Sequence, residues 1–240
     1  MAIVTTRIAA RPREFVAARG PDAQDFLQRM ISNDVTSGDV VDALLLTPKG
    51  RLIAPLRVWR RGADDFLIGT EPGLGDAVLA TLLRARFAAK VELAAEEHSS
   101  VIMWEDDFAH AEERLDAGVE PTVGDFERAR IEAGVPAWGK ELDDSILPAE
   151  AGLDDTHISF SKGCYPGQEP IVRLRHRGHV NRRLRVLDVE SAQPGDDIVH
   201  ADKVVGRVTS AVPGVALGYV RVAVPDDAEL RIGGARARLH

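Results

Sequence analysis

The chain has 240 residues, 45% of them hydrophobic and 28% charged, with a formal net charge of −8. These proportions suit a globular protein with a substantial core and exclude a disordered, collagenous or disulfide-framework chain. One cysteine, Cys164, excludes an internal disulfide, and the acidic balance makes the chain a poor general binder of nucleic acid.

In chain order, Met1–Phe15 carries Arg7, Arg11 and Arg13 but no apolar run of signal-peptide length. No later stretch approaches the roughly 20 apolar residues of a membrane helix, so the expected location is the cytoplasm, away from any membrane. Pro21–Ile31 reads as a helix, with proline in its first turn and Phe26, Leu27, Met30 and Ile31 on one face. Val41–Leu46 and Leu52–Trp59 read as strands joined by the turn-forming Pro48-Lys49-Gly50, and Phe66–Ile68 as a third. Asp76–Phe87 reads as a second helix with Val78, Leu79, Leu82 and Leu83 inward. Val91–Leu93 and Val101–Trp104 read as strands. Phe126–Ala133 is a third helix, stopped by Gly134 and Pro136. From Val180 the texture changes to short strands punctuated by Gln193-Pro194-Gly195, Pro213-Gly214 and Gly233-Gly234. The order predicts an α+β core over residues 1–179 and a small C-terminal β-barrel over 180–240.

The cysteine lies in Lys162-Gly163-Cys164-Tyr165-Pro166-Gly167-Gln168-Glu169. Two readings stand side by side. Neighbouring glycines open a loop to solvent and a nearby ammonium favours thiolate, which suits a nucleophile or metal ligand. A lone cysteine is also a common small buried hydrophobe. Gly73-Leu74-Gly75 lacks the third glycine of a dinucleotide loop, because Val78 stands in its place, and reads as a plain helix start. His176 and His179 with Cys164 match no common zinc spacing, so no metal site is expected. Arg130 and Glu132 read locally as an exposed helical face. Between Ile171 and Arg185 lie six arginines (173, 175, 177, 182, 183 and 185) and no acid, a local +6 against −14 for the rest. This run reads either as the outward face of alternating strands or as a patch for a small polyanion.

The octapeptide resembles the signature of the YgfZ-type folate-binding proteins, relatives of the T-protein (aminomethyltransferase) of glycine cleavage. Phe26-Leu27-Gln28 through Asn33-Asp34-Val35, Leu46–Arg51, Arg130–Pro136, Leu147–Leu153 and Ala216–Val220 resemble the same superfamily in the same order. The resemblance implies a T-protein-like folate-binding core with an appended barrel. It also implies a tetrahydrofolate-binding factor that supports assembly or repair of iron–sulfur clusters in client proteins. Cys164 is then the functional thiol and Lys162 tunes its charge. Gly163 and Gly167 give access, Gln168 and Glu169 position the loop, and Tyr165 lies with them. Arg130, with Glu132, falls at the folate site, where a planar guanidinium matches pterin or carboxylate acceptors. The arginine run then suits the glutamate tail of a folate or an acidic partner.

The chain departs from the family at two places. Pro166 stands where threonine is usual. The stretch matching the T-protein aspartate pair reads Leu52-Ile53-Ala54-Pro55-Leu56, without an acid. Alanine and proline do no general-base work, which weighs against aminomethyl transfer. A one-carbon transferase and a non-catalytic interaction module on a relic folate fold remain as alternatives.

Overall fold

The computed structural model describes residues 6–121 and 126–240. The Met1–Thr5 part of the N-terminal expectation therefore lies outside the described residues. The chain runs β1 (Arg7–Ala10), β2 (Glu14–Arg19), α1 (Ala23–Met30), β3 (Val40–Leu46), β4 (Leu52–Arg60), β5 (Asp65–Thr70), α2 (Gly75–Ala85), β6 (Glu92–Glu96), β7 (Ser100–Trp104) and β8 (Glu112–Leu115). Then follow α3 (Phe126–Glu132), α4 (Gln168–Arg177), β9 (Arg182–Val189), β10 (Asp197–His200), β11 (Lys203–Val212), β12 (Gly214–Arg221), β13 (Leu230–Ile232) and β14 (Ala235–Leu239).

Alternation along the strands decides the layers. On β3, Ala43 and Leu45 face one way and Leu44 and Leu46 the other. The five-stranded antiparallel sheet, in order β3-β4-β5-β2-β6, packs its first face on α1 and α2 through Leu45, Leu56, Val58, Phe66 and Ile68 against Phe26, Leu27, Val78 and Leu82. Each fully buried side chain of this size contributes roughly 1.5–3 kcal/mol. The second face carries Leu44, Leu46 and Leu52, which join Leu142, Leu153, Tyr165 and Tyr219 in a separate core. A small sheet, β1-β7-β8, stands beside it.

The barrel is closed in the order β10-β11-β12-β9-β14-β13 around Leu187, Ile198, Val208, Leu230 and Ile232. Closure leaves no free sheet edge. α3 packs on β11 and β12, with Ile131 against Val215 and Leu217. Among the described residues no helix is long and apolar enough to cross a membrane.

Several elements differ from expectation. α1 starts at Ala23, beyond Pro21, and Leu83 of α2 is 42% exposed rather than inward. β2 is buried from Phe15 to Ala18 on both faces, so it shows no alternation to read. β8, Glu-Glu-Arg-Leu, is too charged to read as a strand. The largest difference is α4. Its Arg-Leu-Arg alternation reads as strand, but residues 168–177 are helical, with Ile171 buried, Leu174 half-buried and arginines outward. Pro170 sits in the first turn, where a missing N–H breaks no helical bond.

Candidate functional site

The cysteine loop is built around one turn. Gly167 has φ +84° and ψ 1°, and the Gln168 N–H donates to the Tyr165 carbonyl at 3.3 Å. With Pro166 at its second position this is a type II turn, where proline presets φ and glycine supplies the positive φ. Pro166 therefore suits the local geometry. Gly167 also presses on the β3–β4 turn: a Cβ there would lie 2.5 Å from the Thr47 carbonyl oxygen.

Cys164 is exposed at the head of this turn, as is Gly163. Lys162, two residues before the thiol, is tied to the segment after α1. Its half-buried ammonium donates to the carbonyls of Ile31 at 2.8 Å and Asn33 at 2.7 Å. Burial lowers this ammonium's pKa to about 8, against the pull of Asp34. Tyr165 is buried, its hydroxyl has no hydrogen-bond partner, and burial raises it to about 12. Gln168 is half-buried at the helix start. Glu169 is exposed and pairs with Arg173 at 2.8 Å.

A separate cavity of about 810 Å³ lies between the second face of the main sheet, β8, α3 and the Ala151–His157 segment. Leu184 of β9 lines it too, so the barrel supplies part of the wall. Its polar lining is a cluster that the sequence reading missed. Arg13 donates to Glu113 at 2.5 and 2.8 Å, Arg57 to Asp42 at 3.1 Å, and Arg11 to Glu71 at 3.0 Å. Burial would raise the Glu113 carboxyl, but Arg13, with Arg57 and Arg11, holds it below the ordinary value. The Arg57 Nε is buried and makes no hydrogen bond, standing 3.8 Å from the Glu113 carboxylate. His157 is held below its usual pKa by burial and by Arg57 and Arg13, against the opposite pull of Asp42. The available signal was a charge inside an apolar strand: Asp42 within Val-Val-Asp-Ala-Leu, Arg57 within Leu-Arg-Val-Trp. Thus Leu52–Leu56 holds no acid, yet Asp42, Glu71 and Glu113 bring carboxylates to the cavity, each tied to arginine.

Arg130 also lines the cavity, but it is 3% exposed and all five of its N–H donors are taken. They go to Glu127 (3.2 and 2.7 Å), the Val135 carbonyl (2.7 Å), Glu141 (2.9 Å) and Ser210 (2.8 Å). The structure leaves Arg130 no donor for a ligand and makes it a buried ion-pair centre. Glu132 pairs with Arg128 at 3.2 Å and does not line the cavity. The expected folate set is therefore not one cluster: Arg130 borders the cavity, while Glu132 and the cysteine loop lie outside its lining. The two regions meet through Tyr165, which shares a core with the cavity-wall residues Leu142 and Leu153.

Among the described residues no group of three or more histidine, cysteine or acidic side chains is placed to hold a metal ion.

Residues 181–240 match the family model described as "CAF17, C-terminal beta-barrel domain". Over 91% of its length the chain is 24% identical to an "Iron-sulfur cluster assembly factor IBA57 homolog, mitochondrial" of Phaeosphaeria nodorum, covering 71% of that protein. It is 32% identical to an aminomethyltransferase of Rippkaea orientalis over 95% of its own length, but spans only 57% of that relative. The crystal structure of the glycine cleavage system aminomethyltransferase T from Bartonella henselae superposes with a TM-score of 0.82 at 19% identity, over 99% of this chain and 85% of that one. The chain thus has an aminomethyltransferase-like fold that ends in a closed six-stranded barrel of the CAF17 C-terminal type.

Proposed function

We propose that this chain is an iron–sulfur cluster assembly or repair factor that binds a reduced folate in the central cavity and acts through Cys164. The observation that carries the folate part is the buried Arg57 Nε, which makes no hydrogen bond and stands 3.8 Å from the Glu113 carboxylate, in a cavity of about 810 Å³. A buried donor without a hydrogen bond costs stability until an acceptor comes within reach, and the volume lies in the range of small-ligand sites. Pterin nitrogens and carboxylates are acceptors of that kind. Arg57, Arg11 and Arg13 would hold the ligand, with neutral His157 beside them. A bound reduced folate would supply a one-carbon carrier. Cys164 supports the cluster part because it is exposed on a braced loop. One thiol cannot hold a four-thiolate cluster, so any cluster on it is shared with a client protein or transient. The relatives described as IBA57 homologues support the same reading.

Anaerobic calorimetric titration with tetrahydrofolate tests the proposal. We expect binding in the micromolar range. Arg57→Met should weaken it about tenfold or more, the worth of one charge-assisted hydrogen bond. No binding by the wild type would end the folate reading. Cys164→Ala should keep the melting temperature and folate affinity but fail to restore activity to cluster-dependent enzymes in cells lacking this chain. Full restoration would remove the thiol from the function.

Aminomethyl-type transfer keeps one supporting observation, the Asp42 carboxylate on the cavity wall. It requires methylene-tetrahydrofolate to form from an amine donor, with loss of turnover in Asp42→Asn.

A further inference from the structure

A second concavity, of about 240 Å³, borders α4, the helix that follows the cysteine loop. Phe160, Ile171 and Leu174 form its apolar floor, and Lys49, Arg175 and Arg183 stand on its rim. Gly50 and Pro170 join it to the loop: Gly50 abuts Gly167, and Pro170 is six residues beyond Cys164.

The rim charge is placed for something outside the chain. Of the six arginines from 171 to 185, Arg173, Arg175, Arg182 and Arg185 have acidic partners within the molecule. Arg183 and Lys49 form no ion pair or side-chain hydrogen bond among the described residues, and both are exposed at the groove. Arg175 lies 4.0 Å over the Phe160 ring, which holds its guanidinium flat along the wall. Asp154 is the one acid lining the groove, so its net charge stays positive.

From this groove we infer a docking site for an acidic protein segment that inserts one apolar side chain between its carboxylates. Charge complementarity selects the occupant. A positive rim over an apolar floor matches a peptide alternating acids with an apolar anchor. The −14 carried by the rest of the chain disfavours the long phosphate backbone of a nucleic acid. The inference rests on the proposed function in one respect: a segment seated here brings its parent protein to the exposed Cys164.

The test uses the full chain and a fluorescein-labelled synthetic peptide, Glu-Asp-Glu-Leu-Glu-Asp-Glu, followed by anisotropy. The wild type should bind it, and binding should weaken as salt rises, because exposed charges are screened. Lys49→Glu with Arg183→Glu should weaken binding at least about tenfold, and the milder Lys49→Gln with Arg183→Gln by an intermediate factor. Replacing the peptide's leucine with serine should also weaken it, through loss of the apolar anchor. Tetrahydrofolate affinity should be unchanged in both double variants, since neither residue lines the folate cavity. Absence of wild-type binding, or equal binding by wild type and both variants, overturns the docking site. So does a single-stranded oligonucleotide that binds the groove more tightly than the peptide. Loss of tetrahydrofolate binding in the wild type overturns the folate reading alone, and loss of peptide binding with folate binding intact overturns the groove alone.

Discussion

Lys162 shows how far a residue's role depends on where its charge ends. Next to a cysteine in sequence, an ammonium is expected to favour thiolate. In the fold the same ammonium is half-buried and hydrogen-bonded to the Ile31 and Asn33 carbonyls. Those two hydrogen bonds anchor the loop that presents Cys164. Burial leaves a titration signature. The folded lysine loses its proton near 8 and the unfolded one near 10.5. Between those values the unfolded chain holds more protons, so the Lys162 contribution to stability rises with pH. From about pH 7.5 to about pH 9.5, wild type should gain stability relative to Lys162→Met in urea unfolding. Parallel curves would show that the ammonium is not depressed. Arg130 carries a similar lesson. Arginine on an amphipathic helix reads as exposed, and the resemblance assigns it to folate, yet its five donors are all taken within the chain.

At the scale of the element, the turn at Tyr165–Gln168 and the helix after it act as one unit. Proline and glycine at successive positions were visible in the sequence. Their meaning as a type II turn feeding α4 was not, because Arg-Leu-Arg alternation imitates a strand. The tie was broken by Ile171 and Leu174, spaced three apart, turning toward the same side of the helix. Gly167→Ala should strain this unit twice, through its positive φ and through contact with the Thr47 carbonyl. The expected cost is about 1–3 kcal/mol. It should be accompanied by a changed alkylation rate of Cys164, measured with iodoacetamide. An unaltered rate and melting temperature would show that the turn does not brace the thiol. Strands with a clean pattern, β3 and β4 above all, were legible within one residue. β2 and β8 were not, one being buried on both faces and the other charged.

Across the whole molecule, a buried polar bridge joins core to barrel. Glu141, 1% exposed, is bound by Arg130, by the Ala137 N–H at 2.9 Å and by the Ser210 hydroxyl of β11 at 2.6 Å. Tyr219 of β12 donates to the Glu141 carbonyl at 2.9 Å. Removing one partner of such a pair leaves an uncompensated charge in the interior. Arg130→Met should therefore cost about 3–5 kcal/mol. The bridge also predicts cooperative unfolding. Trp59, Trp104 and Trp138 all precede the barrel, so tryptophan fluorescence follows the core while circular dichroism follows both parts. The two transitions should coincide in wild type and separate in Arg130→Met. Coincidence in the variant would mean that apolar packing of α3 on the barrel suffices.

The sequence alone determined the α+β character, the all-β C-terminal part, the glycine-flanked cysteine motif and the family resemblance. Each rests on local information: hydrophobic period, glycine and proline punctuation, and a short contiguous motif. Only the tertiary structure decided what the charges do. Arg13 meets Glu113 across 100 residues and Arg130 meets Ser210 across 80, so neither pairing has a local signature. Whether a charged residue binds a ligand, braces a loop or bridges two parts depends on what long-range folding sets against it, because desolvation and pairing act through space rather than along the chain.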